Sequence, residues 1–148
     1  MNLRKLLSED TIILDLKGTT KQAIVQEMID FLVNRGRLKD REAALKAVLE
    51  REQKMSTGMQ HGIAIPHGKT DSVDKLVTAL ALKREGVDFG SMDGKPSTIF
   101  IMTLSSASRT GPHIQFLSEI SQVLNDAERR KNLLNAQSAA EVLDILTA

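Results

Sequence analysis

The chain has 148 residues, 41% of them apolar and 26% charged, which places it among ordinary globular domains and outside the disordered and fibrous classes. It has no cysteine, so thiol nucleophiles, thiolate zinc sites and redox pairs are excluded, and a chain of this length needs no disulfide or metal to hold a core. Twenty Lys+Arg against nineteen Asp+Glu leave a formal charge of +1, and with no Trp, no Tyr and four Phe there is neither an electrostatic footprint nor a stacking platform for nucleic acid.

The first ten residues hold no apolar segment suited to a signal peptide, and no apolar run approaches a membrane span, so neither membrane insertion nor export is expected and the cytoplasm is the expected location. Ile12-Ile13-Leu14-Asp15-Leu16, closed by Lys17-Gly18, reads as a strand. Thr19 and Gln22 have capping-box spacing, and Ile24, Met28, Phe31 and Leu32 follow at helical period, so residues 20–35 read as an amphipathic helix that Gly36 ends. Asp40 caps a second helix running to about Met55, where Ser56-Thr57-Gly58 stops it. Residues 63–65, 76–82 and 98–104 are three apolar runs separated by turn formers such as Asp93-Gly94-Lys95-Pro96, and they read as strands.

Ile99-Phe100-Ile101-Met102 has no polar alternation, and a strand apolar on both sides must be covered on both faces. The last third supplies the cover. Gly111-Pro112 opens a helix with Pro at its first position and Leu117, Ile120 and Leu124 on one face, and the capping box Ser138-Ala139-Ala140-Glu141 opens a final helix through Val142, Leu143, Ile145 and Leu146. No repeat, linker or low-complexity segment interrupts the pattern. Residues 1–148 are therefore expected to form one α+β domain, a three-layer α/β/α sandwich on a mixed sheet, in the order β-α-α-β-β-β-α-α with room for one more helix at the end.

The three histidines, His61, His67 and His113, are the leading candidates for a neutral nucleophile at pH 7. His67 follows Ile63-Ala64-Ile65 and a proline and precedes Gly68; this reads either as a rigidly held imidazole at a strand end or as a plain turn carrying a surface histidine. His113 lies in the first turn of the helix at Pro112, on or beside its apolar stripe, so it reads as a core residue or as a partner of a phosphoryl group held at the helix N-terminus. Arg51, within Glu50-Arg51-Glu52, reads as part of a solvated face or as a fork for phosphoryl oxygens, with Thr57 as an added hydroxyl donor. Arg109 reads as a solvated loop residue, and His61 has no assigned role. A metal site lacks any helical H-x-x-x-H or accompanying carboxylate motif, and no G-x-S-x-G, P-loop or G-x-G-x-x-G occurs; no cofactor or metal is expected.

Arg51-Glu52, Ser56-Thr57-Gly58, Gly62-Ile63-Ala64-Ile65-Pro66-His67-Gly68-Lys69, Asp93-Gly94-Lys95-Pro96 and a late His113 opening a helix together resemble the enzyme IIA domain of the fructose/mannitol type in the bacterial phosphoenolpyruvate:sugar phosphotransferase system. The likeness spans nearly the whole chain and is most specific from Gly62 to His67. It implies a phosphoryl carrier in which His67 accepts a phosphoryl group from the phosphocarrier protein HPr and passes it to a cysteine of a IIB component. A nitrogen-regulatory branch of the family keeps the histidine and signals to target proteins through its phosphorylation state. By position, His113 resembles the family's second active-site histidine and Arg51 its arginine, with Thr57 a hydroxyl beside the site. One departure is the stretch Ser105-Ser106-Ala107-Ser108, where the family leads to the expectation of a proline soon after the strand.

Overall fold

The computed structural model describes residues 3–148, and among them the chain runs α1 (Leu3–Leu6), a 3-10 turn (Glu9–Thr11), β1 (Ile12–Ile13), α2 (Lys21–Asn34), α3 (Arg41–Lys54), β2 (Ile63–Ala64), β3 (His67–Lys69), β4 (Val77–Val87), β5 (Ser97–Ser105), α4 (Gly111–Leu124), α5 (Ala127–Asn135) and α6 (Ala139–Thr147). The sheet is mixed, in the order β1-β4-β5-β2, with β3 also on β5. Its long central pair, β4 and β5, is antiparallel, and β1, β2 and β3 join it in parallel.

Alternation along the central strands divides the interior in two. Ala79, Ala81, Phe100, Met102 and Leu104 pack with Ile24, Met28 and Leu32 of α2 and Ala44 and Val48 of α3. Leu80, Leu82, Ile99 and Ile101 face the other way, onto Phe116, Ile120, Leu133, Val142 and Leu146 of α4, α5 and α6. The three-layer expectation holds, and the extra C-terminal helix is α5.

The differences from the expected elements are local. The first strand is two residues long, because Arg84 Nη1 takes the Leu14 carbonyl at 3.2 Å; pairing resumes only where Leu16 N–H donates to Leu82 O at 3.0 Å. The α2 cap is Thr20, whose side chain accepts from the Ala23 N–H, one residue after the expected Thr19. Glu27 accounts for the shift: its carboxylate clamps the Lys17 and Gly18 N–H groups at 2.8–3.0 Å and sets where the chain enters the helix. Asp40 and Ser138 cap as expected, on Ala43 and Glu141. Helix α4 begins at Gly111, so Pro112 is its second residue. Among the described residues, no helix is long and apolar enough to cross a membrane.

Candidate functional site

His67 does not end the strand before it but opens one of its own. Ile65 and Pro66 interrupt the edge, and β3 then pairs in parallel with the far half of β5, His67 opposite Thr103. The Thr103 N–H donates to the Pro66 carbonyl at 3.2 Å and locks that register. Gly68 explains why the strand lies where it does: a Cβ there would sit 2.8 Å from the Ala47 carbonyl carbon and the Val48 nitrogen. Only a hydrogen fits between β3 and the α3 backbone. Gly68→Ala is therefore expected to cost about 1–3 kcal/mol, the range for overpacking a well-packed interior, read as a lowered midpoint in urea with the slope unchanged.

The His67 ring is half-buried, and its Nδ1 lies 2.8 Å from the Ile65 carbonyl oxygen. A carbonyl only accepts, so Nδ1 carries the hydrogen and, in the neutral ring, Nε2 keeps a bare lone pair. His113, in the first turn of α4, stands beside it with ring centroids 5.4 Å apart at an interplanar angle of 35°. It is half-buried rather than core, and its Nδ1 is 3.0 Å from Thr103 Oγ1. Burial first, and then the neighbouring His67 and Lys69 charges, holds the His113 pKa below its ordinary value, favouring the neutral ring.

Arg51 shares a cleft of about 370 Å³ with His67, Gly68, Lys69 and Lys54. Its Nη1 donates to the Met55 carbonyl at 2.9 Å, which steadies the guanidinium across the last turn of α3. His67 of β3 thus stands beside His113 of α4 and lines a cleft with Arg51 of α3. Thr57 takes another position. It is 5% exposed, its hydroxyl donates to Glu52 Oε1 at 2.5 Å and its N–H to Glu52 Oε2 at 2.8 Å, so its hydroxyl proton is already committed. Glu52 departs from the solvated-face reading: it is 6% exposed and takes a further contact from Lys21 Nζ at 2.9 Å.

Arg109 is exposed in the turn closed by its N–H on Ser106 O at 3.2 Å, in the solvated place expected of it. His61 is exposed with φ of 63° and lines a separate, mainly apolar cleft with Met59, Ile63, Met92 and Ile120. Among the described residues, no three His, Asp or Glu side chains converge on a point that could hold a metal. Sequence reasoning missed Thr103 and Glu52. A threonine breaking the apolar stretch Ile99-Phe100-Ile101-Met102 before Leu104 was the available signal for the first; the second had none, because its partners are Thr57 and the distant Lys21.

The model of the family described as Phosphoenolpyruvate-dependent sugar phosphotransferase system, EIIA 2, matches residues 5–148. The PTS system fructose-specific EIIA component of Haloferax volcanii is 42% identical over 137 residues, covering 93% of this chain and 89% of that protein. Among solved structures, nitrogen regulatory protein IIA-Ntr from Neisseria meningitidis has a TM-score of 0.86 at 30% identity, over 98% of this chain and 99% of that one. Enzyme IIAMtl from Escherichia coli, in complex with phosphorylated enzyme IIBMtl, has a TM-score of 0.81 at 28% identity, over 95% and 96%.

Proposed function

We propose that this chain, which belongs to the EIIA 2 family of the phosphoenolpyruvate-dependent sugar phosphotransferase system, carries its phosphoryl group on Nε2 of His67. Components of this family are phosphotransferases that pass phosphate through a histidine. The observation that carries the assignment is the 2.8 Å contact between His67 Nδ1 and the Ile65 carbonyl, which in the neutral ring puts the bare lone pair on Nε2.

The step balances without a base. The phosphohistidine P–N bond of the donor breaks and its electron pair returns to the donor imidazole, while the His67 Nε2 lone pair forms the new P–N bond. The proton on Nδ1 stays where it is. In this reading Arg51 and His113 donate to the equatorial phosphoryl oxygens. Thr103 supports that role for His113, since its hydroxyl can donate to Nδ1 and leave the hydrogen on Nε2. Thr57 supports the site through its backbone and not as a phosphoryl donor.

The donor in this reading is HPr and the acceptor a IIB component, both met in the cytoplasm, and the pathway serves uptake of a fructose- or mannitol-type sugar. Exposed apolar residues next to the site suit a protein partner: Met55 is 71% exposed and Ile114 63%. Likeness to the nitrogen regulatory protein favours a second reading, in which the phosphorylation state of His67 controls a target protein. The discriminating experiment loads the chain from phospho-HPr and adds IIB components. Transfer of the label to a IIB cysteine is the expected result; label that stays on the chain with every fructose- and mannitol-type IIB overturns the transport reading in favour of the regulatory one.

A further inference from the structure

Glu52 lies in the last turn of α3, where the helix dipole disfavours a negative charge, and it is buried, which disfavours it again. Three donors compensate: the Thr57 N–H at 2.8 Å, the Thr57 hydroxyl at 2.5 Å and Lys21 Nζ of α2 at 2.9 Å. A packed apolar residue often stabilises such a position as well as a buried ion pair does, so the arrangement invites a role beyond stability.

That role follows from what Thr57 holds. Its carbonyl accepts the Ile65 N–H at 3.1 Å, and the Ile65 carbonyl in turn accepts the His67 Nδ1–H at 2.8 Å. The contacts form a continuous chain, from Lys21 through Glu52, Thr57 and Ile65 to the imidazole. We propose that Glu52 is a positioning residue for His67, its carboxylate anchoring the Thr57 segment and, through it, the carbonyl that selects the reactive tautomer. The proposal rests on the reading of His67 as the phosphoryl acceptor. A free neutral imidazole side chain favours its hydrogen on Nε2, the tautomer whose Nε2 has no lone pair to offer phosphorus. Loosening the Ile65 carbonyl therefore lets His67 relax toward the unreactive form.

The test is Glu52→Gln, which keeps the shape but loses one acceptor and the charge. Long-range proton–nitrogen NMR on the unphosphorylated chain reads the tautomer directly. The parent is expected to show hydrogen on Nδ1 alone, and the variant a mixture, with phosphorylation by phospho-HPr slowed about 10- to 100-fold, the scale of a small misplacement of a reacting group. Thr57→Val removes the hydroxyl contact and leaves the main-chain one; it is expected to shift the tautomer the same way and serves if the glutamine variant does not fold. Unchanged His67 ring shifts in a folded variant overturn the proposal, even if the rate falls. A parent that takes no label sinks the phosphoryl reading, while the ring shifts still decide the role of Glu52.

Discussion

His67→Ala is expected to take up no phosphate from phospho-HPr, whereas the parent chain acquires one acid-labile, base-stable group. In the proposed reading the loss is complete rather than partial, because the alanine removes the nucleophile itself. The Nδ1 atom of His113 is occupied by Thr103, and His61 belongs to a different cleft. The fold is expected to survive: the ring is half-buried, and the Ile65 carbonyl it leaves costs about 0.5–1.5 kcal/mol for one lost hydrogen bond. Thermal unfolding of the variant checks that point separately. Label on the alanine variant at the parent's rate defeats the assignment of His67.

The layers of the fold were legible because their signal is periodic. The 3.6-residue spacing of Ile24, Met28 and Leu32 and the two-sided apolar run at 99–102 each state which way the chain must be covered, and both cores are built from those residues. Elements whose cause lies elsewhere in the chain were not legible. Pro66-His67-Gly68-Lys69 has turn chemistry, and it forms β3 only because β5 pairs with it and α3 leaves a hydrogen's width at Gly68. Helix α5 carries Glu128, Arg129, Arg130 and Lys131 and buries Leu133 alone, too sparse a stripe to announce a helix.

The same division runs through the site. His67 stands between a proline and a glycine, and the pattern draws attention to it. The carbonyl that sets its tautomer is main chain, which no side-chain motif can reveal. Glu52 sits between charges in the string Glu50-Arg51-Glu52, and its burial depends on Thr57 and on Lys21, 31 residues earlier. A solvated face and a buried anchor are identical until the tertiary partners are known.

His113→Ala is expected to retain the fold and to slow phosphoryl transfer by two to three orders of magnitude, the usual cost of removing one preorganised donor from a developing charge. His67, the proposed nucleophile, and its Ile65 contact remain, so the label is still expected on His67, only later. The variant should also lose one component of acid sensitivity. Burial and the neighbouring charges lower the pKa of folded His113 from its ordinary 6.5, so the unfolded chain binds that proton more readily than the native one. The resulting stability is full above pH 6.5 and is lost as pH falls through the lower native value. Urea midpoints at pH 7.5 and 5.5 should thus differ less in His113→Ala than in the parent. A variant that transfers at the parent's rate makes His113 a packing residue of α4 and leaves Arg51 as the proposed side-chain donor to the phosphoryl oxygens.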